Sequence, residues 1–246
     1  MLERLYHYTR KRSEATCIAD VRIGLCYTAV MLDDGCVGLA YTFREAVQRC
    51  CATRKHSQPF TGRSIVEMLR GITSGDMLER TVGIAAANAV LNRESDRLVD
   101  GDALDLIELR HDDVVGMVGY FGPLVEALRK RVRRLLIFEQ KSIASEEVYP
   151  EEKAPALLQN CTVALITATT IINNTFEQLI NAATSCRVRV VLGPSTPLAP
   201  EVFAPLGVSL LSGVIVADPA AVLRIVSEGG GMQAFKNCVK KVNLKL

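Results

Sequence analysis

The chain has 246 residues, 49% of them hydrophobic, enough to bury one large core or two ordinary ones, and length alone slightly favours two. A formal charge of +2 is too small to coat a face against nucleic acid, and 5% aromatic residues without tryptophan offer few platforms for stacking bases. No apolar run approaches the ~20 residues of a membrane span, and the charged stretch 1–12 lacks the apolar centre of a signal peptide, so a cytoplasmic location with no nucleic-acid partner and no membrane span is expected.

Residues 1–13 place Leu2 and Leu5, with Tyr6 and Thr9 beside them, on one stripe between charges, which predicts a short surface helix. Two β-rich runs follow at 15–31 and 36–43, the first long enough for two strands bent at Gly24. Asp34-Gly35 between the runs is a hairpin signal. Segment 43–59 is polar and basic and reads as an irregular insertion. Helical spacing returns at 62–72 and 76–92, the second with Ser74 or Asp76 as cap and Glu79 in its first turn. Small residues over 83–89 permit close backbone approach there, and Asn88, the polar exception, needs either backbone partners or a ligand. The first ~100 residues thus predict a small antiparallel sheet covered by helices. Charge is dense over 92–113, as in a connection between domains, and His111 beside Asp112 and Asp113 is either a metal arm or part of a solvated turn.

From Val114 onward strands at 114–118, 134–138, 162–167, 188–192 and 208–216 alternate with helices at 123–131, 174–183, 199–204 and 219–227. That alternation predicts a parallel sheet whose strand-to-helix loops gather on one edge, where such sheets bind ligands. Four loops carry the candidate chemistry. The first, Gly119-Tyr-Phe-Gly-Pro123, brings Tyr120 and Phe121 into a turn where glycine lets backbone approach a ligand and the following helix N-terminus can hold negative charge. Its glycines at 116, 119 and 122 depart from G-x-G-x-x-G, so the spacing names no cofactor. The basic run 129–134 that ends the next helix either complements the helix dipole or forms a polyanion patch. In the second loop, Glu139 stands about 20 positions beyond the glycine turn, where dinucleotide folds hold a ribose hydroxyl, though a carboxylate at a strand end is equally ordinary. The third loop offers Thr169, Thr170 and Asn173 as ligand contacts, with Asn174 and Glu177 at capping-box spacing. In the fourth, two prolines stiffen the segment that presents Ser195 and Thr196.

There is no Walker motif, no G-x-S-x-G elbow and no His-Glu-x-x-His helix, and the three histidines at 7, 56 and 111 are scattered, so no catalytic base is nominated. The eight cysteines include no C-x-x-C pair, and in a reducing compartment they read as small buried hydrophobes. Cys50 and Cys51 with His56 do not have a structural zinc spacing.

Taken together, Val21-Arg-Ile-Gly-Leu-Cys-Tyr-Thr-Ala-Val30, Val37-Gly-Leu-Ala-Tyr-Thr42, Gly116-Met-Val-Gly-Tyr-Phe121, Thr169-Thr-Ile-Ile-Asn-Asn-Thr175, Gly193-Pro-Ser-Thr-Pro-Leu198 and Gly229-Gly-Gly231 resemble the "putative heavy-metal chelation" family over nearly the whole length. The resemblance implies an α/β protein: an enolase N-terminal-like α+β domain over 1–108, a Rossmann-like parallel-sheet domain over 109–246, and an active cleft between them. By motif match it implies Tyr41, Thr42, Gly119, Tyr120, Phe121, Thr169, Thr170, Asn173, Ser195 and Thr196 as cleft residues, to which the reading above adds Asn88 and Glu139. It further implies a heavy or transition metal, or a metal-bearing small molecule, as ligand, with links to metal uptake or anaerobic cobalamin synthesis. Loops rich in hydroxyl and amide groups favour the metal-bearing molecule, since bare soft metals prefer thiolate and imidazole. Segment 43–59, with Cys50, Cys51 and His56, matches no motif of the family. The alternative is a transferase or oxidoreductase holding a nucleotide-type cofactor, a dinucleotide or S-adenosylmethionine, at the glycine turn and Glu139. Whether a reaction is catalysed stays open, and a homo-oligomer is compatible with either reading.

Overall fold

The computed structural model describes residues 1–13, 15–46, 59–140 and 145–246. After helix α1 (Leu2–Arg10), strands β1 (Ile18–Ile23), β2 (Tyr27–Leu32) and β3 (Val37–Tyr41) form an antiparallel sheet in chain order, bent between β1 and β2 at Gly24 and closed at Asp34-Gly35. Alternation along these strands serves two cores. Tyr27, Ala29, Val37 and Leu39 pack toward Val222, Val226 and Phe235, whereas Val30, Leu32 and Ala40 face the core that contains Ile84 and Ala85.

Helices α2 (Ile65–Leu69) and α3 (Met77–Leu91) follow. Asp76 caps α3 by accepting from the Glu79 N–H at 2.9 Å, and Ser74 supports the cap by donating to the Glu79 carboxylate at 2.6 Å. Twelve of the fifteen α3 residues are buried, so this helix is apolar all round because it has neighbours all round. Its buried Arg80 donates to the Ile172 carbonyl at 2.7 Å and to the Ser74 carbonyl at 2.5 Å, tying α3 to the larger sheet's layer. Burial lowers the Arg80 pKa from its ordinary value.

The second sheet has eight strands: β4 (Val99–Asp100), β5 (Val114–Val118), β6 (Arg134–Glu139), β7 (Val148–Pro150), β8 (Val163–Thr167), β9 (Val188–Leu192), β10 (Leu210–Val216) and β11 (Val239–Lys245). Six of them, in the spatial order β7-β6-β5-β8-β9-β10, are parallel, and the winding reverses between β5 and β8. This is the Rossmann order, whose ligands bind outside the strand carboxyl ends at the reversal. Antiparallel β11 and β4 extend one edge. Helices α4 (Gly122–Arg129), α5 (Ala154–Leu158), α6 (Thr169–Ile172), α7 (Phe176–Ala182), α8 (Pro200–Phe203) and α9 (Pro219–Ser227) complete the chain. The small antiparallel α+β unit and the larger, mostly parallel sheet are the expected fold class.

Four details differ from the sequence expectation. The capping box at Asn174 and Glu177 does not form: Asn174 adopts φ 63°, α7 begins at Phe176, and its preceding residue Thr175 makes no side-chain cap bond. Strands β4, β7 and β11 were not anticipated, because two or three residues carry no period and lysines interrupt the alternation of β11. The charged connection also joins the larger sheet: β4 pairs with β11, and Ala103, Leu104 and Ile107 pack with Val115 and Met117. Finally, His111 and Asp112 are exposed, but Asp113 turns inward. It accepts from the Arg110 N–H at 2.7 Å, the Thr162 hydroxyl at 2.7 Å and the Arg187 guanidinium at 2.6 Å. No helix among the described residues is long and apolar enough to cross a membrane.

Candidate functional site

The carboxyl ends of β5, β6, β8 and β9 face one end of the small sheet across a cleft of about 850 Å³. The turn after β5 is built on Gly119, whose φ of 89° is left-handed and whose missing Cβ would lie 3.1 Å from Thr167. The Gly119 N–H donates to the Phe138 carbonyl at 2.8 Å. Glu139 clamps the turn, its carboxylate accepting from the Tyr120 N–H at 3.0 Å and from the Gln140 N–H at 2.8 Å. The turn therefore presents Tyr120, 43% exposed, and Phe121 to the cleft with one of its amide donors already facing a fixed anion.

The opposite wall is aromatic. Ring centroids separate Tyr27 from Tyr41 by 5.9 Å and Tyr41 from Phe43 by 5.2 Å, and fully buried Phe235 backs Tyr27 at 5.3 Å, all near edge-to-face. Buried Ser195 joins the two walls by accepting from the Tyr41 N–H at 2.8 Å. The Ser195 loop is itself held by Asn92 at the end of α3, which donates to the Thr196 and Val214 carbonyls at 3.0 and 3.2 Å and accepts from the Leu198 N–H at 3.0 Å. Burial pushes the Tyr27 and Tyr41 phenols above their ordinary value, so both stay neutral near pH 7. Glu151, on the same cleft, is also raised, first by burial and then by neighbouring carboxylates including Glu139, against a bond from Gln140. Lys241 pairs with Asp102 at 3.3 Å at the rim.

Of the residues nominated from sequence, Tyr41, Gly119, Tyr120, Phe121, Glu139, Thr169 and Ser195 come together around this cleft. The other five lie off it. Buried Thr42 shares a hydrogen bond with Thr28 at 2.9 Å, and Asn88 donates to the Leu39 carbonyl at 2.7 Å. Thr170 donates to the Thr167 carbonyl at 2.6 Å, Asn173 accepts from the Thr175 hydroxyl at 2.8 Å, and Thr196 is fully buried. Three of these are the immediate successors of lining residues: where Tyr41, Thr169 or Ser195 faces the cleft, the next side chain turns away from it.

Sequence reasoning missed Tyr27, Phe43, Phe138 and Glu151. Tyr27 was within reach, because it stands directly opposite Tyr41 once β2 and β3 are paired. Among the described residues no three of His, Cys, Asp and Glu are grouped to hold a metal ion. The described cysteines are free thiols: Cys161 and Cys186 are buried, Cys26, Cys36 and Cys238 half-buried, and Cys17 exposed. Burial pushes the thiols of Cys161 and Cys186 up to about 11 and about 12. Cys50, Cys51 and His56 lie outside the described residues.

Two family models, each described as "Putative heavy-metal chelation", match residues 6–91 and 102–245. An uncharacterized protein of Methanocaldococcus jannaschii is 25% identical over 252 residues, which cover 99% of this chain and 96% of that one. The crystal structure of a protein of unknown function from Pyrococcus horikoshii superposes with a TM-score of 0.87 at 24% identity, covering 100% of this chain and 99% of its own. A second such structure, from Desulfitobacterium hafniense, gives 0.82 at 23% identity, covering 100% and 98%. These two share the fold.

Proposed function

We propose, since the chain belongs to the family described as putative heavy-metal chelation, that its cleft binds a metal-bearing small molecule and grips the organic frame of that molecule more than the metal itself. The observation that carries this reading is the make-up of the two walls: Tyr27, Tyr41 and Phe43 on one side, Tyr120 and Phe121 on the other. Facing aromatic surfaces suit a flat, partly apolar molecule, and Ser195 and Thr169 add polar contacts at its edge. Direct coordination is less well supplied. The Tyr27 and Tyr41 phenols are neutral, and among the described lining residues there is no cysteine or histidine, so a heavy metal held by these residues has to bring its own ligand frame. Carboxylates at Glu139 and Glu151 suit a complex with net positive charge.

Calorimetric titration with cobalt and iron complexes of planar Schiff-base chelators tests the reading. Tyr41→Ala and Tyr120→Ala should each weaken binding about tenfold, roughly what an aromatic contact supplies. Thermal melting should stay close to that of the parent for Tyr120→Ala, whose ring is 43% exposed. Unchanged affinity in both variants would refute the aromatic clamp.

The alternative, a dinucleotide or S-adenosylmethionine at the glycine turn, draws support from the Rossmann strand order and from Glu139 at the end of β6. Against it, the Glu139 carboxylate occupies the Tyr120 N–H and sets a negative charge where a pyrophosphate would lie. A thermal-shift panel with these cofactors is expected to show no stabilisation, and a shift abolished by Glu139→Ala would favour the alternative instead.

A further inference from the structure

The geometry points to a self-association surface away from the cleft: the open edge of β1 pairs antiparallel with β1 of a second copy, about a twofold axis at Val21. Strand β1 is at the edge of the three-stranded sheet. It pairs with β2 in the register Val21↔Val30, Arg22↔Ala29 and Ile23↔Thr28, and the Gly24 N–H donates to the Tyr27 carbonyl. Bonded and non-bonded pairs alternate in an antiparallel ladder, so Arg22 is turned toward β2, whereas the N–H and C=O groups of Val21 and Ile23 point outward. Among the described residues no other backbone group takes them. Farther back the edge is closed, since the Ile18 N–H donates to the Arg63 carbonyl and the Gly62 N–H to the Ile18 carbonyl. The open stretch is therefore 19–23.

Such edges are usually guarded by charged side chains, lysine above all, or by proline. This one reads Ala-Asp-Val-Arg-Ile, and its two charges are opposite in sign and symmetric about Val21. Two copies paired about Val21 place Asp20 of each opposite Arg22 of the other, in the non-hydrogen-bonded positions where side chains approach most closely. Each Arg22 already holds its own Asp20 at 2.7 Å, so the four groups alternate in sign around the axis. A twofold axis at Arg22 would instead oppose Arg22 to Arg22, and like charges directly opposite are unfavourable. The charges thus select the register. A groove of about 380 Å³ between β1 and α9, lined by Arg22, Ala220, Leu223, Arg224 and Ser227, flanks the edge, and its two cations suit the Asp20 of a second copy. Five paired residues make a small interface, so the dimer should dissociate on dilution.

Sedimentation velocity of the full chain over about 1–100 μM, the range in which such interfaces dissociate, should show a monomer–dimer equilibrium. Val21→Pro removes an outward N–H and no β1–β2 bond, so it should weaken the dimer at least about tenfold with an unchanged circular-dichroism spectrum. Arg22→Asp should do the same by repulsion, and adding Asp20→Arg to it should restore the dimer, because the swapped pair is again complementary. A monomer at every concentration, a dimer that tolerates Arg22→Asp, or a folded double variant that fails to dimerise would each overturn the proposal.

Discussion

Gly38→Ala is expected to destabilise the protein by about 3 kcal/mol or more, the upper end of what overpacking costs, because the new methyl would meet backbone rather than a movable side chain. A Cβ at Gly38 would lie 2.1 Å from both the Ala85 carbonyl oxygen and the Ala89 nitrogen. Strand β3 and helix α3 approach so closely because the helix offers alanines there, and neither can retreat: the other face of β3 packs Val37 and Leu39 toward α9, and α3 is buried nearly throughout. Urea denaturation gives the measurement, with Gly75→Ala as the reference. Gly75 has no atom within 4 Å of its would-be Cβ and no left-handed φ, so that variant should melt like the parent. Equal stability of the two variants would mean that the β3–α3 contact is looser than described.

Asp113→Ala is the second large effect, a loss of about 3 kcal/mol. The carboxylate gathers the Arg110 N–H, the Thr162 hydroxyl and the Arg187 guanidinium at the foot of β5, β8 and β9, and its side chain is 3% exposed. Removing it takes the ion-pair partner from Arg187, which keeps the Glu108 carbonyl at 2.8 Å, leaves Thr162 only the Val114 carbonyl at 3.3 Å, and strips the Arg110 N–H of its acceptor. Burial alone would push this carboxyl up, but the bonds from Arg110, Thr162 and Arg187 outweigh it and hold the pKa below the ordinary carboxylate value. The sign of the pH dependence follows. A carboxyl depressed in the folded state contributes its full stabilisation above the unfolded value, near 4, and loses it as pH falls from there through the folded value. Asp113→Asn should flatten that acid limb of a stability–pH curve while leaving the pH 6–8 plateau level, though lower. An acid limb identical to the parent's would assign acid sensitivity to other carboxylates.

The parallel sheet was legible because strands buried on both faces write continuous apolar runs, as at 114–118 and 163–166. The edges were not. Strand β11 reads Val-Lys-Lys-Val-Asn-Leu-Lys, and it forms a strand because β10 offers an unpaired edge, a cause that its own residues do not contain. Glycines and short polar loops marked the sheet edge that borders the cleft, but adjacent residues could not be told apart. Tyr41 and Thr42 are both polar residues at a strand end, and only the pairing of β3 with β2 decides that the first faces the cleft while the second bonds Thr28 inside the core. Glu139 shows the same limit. Its position fits a ribose contact, yet its carboxylate bonds the turn's own Tyr120 N–H, a partner nineteen residues back in sequence. The aromatic wall is harder still to read in advance, since Tyr27, the Tyr41–Phe43 pair and the Phe235 ring that backs Tyr27 come from three separate stretches of chain.

On the proposed reading the cleft holds a metal through an organic frame. Native mass spectrometry of the anaerobically purified chain tests it most directly, comparing free cobalt, nickel, zinc, copper and iron ions with planar Schiff-base complexes of cobalt and iron. One complex per chain is expected for the planar chelates, with loss of that species in Tyr41→Ala and no stoichiometric uptake of the free ions into the cleft. Stoichiometric binding of a free ion that is unaffected by Tyr41→Ala, with no binding of the chelates, would contradict it.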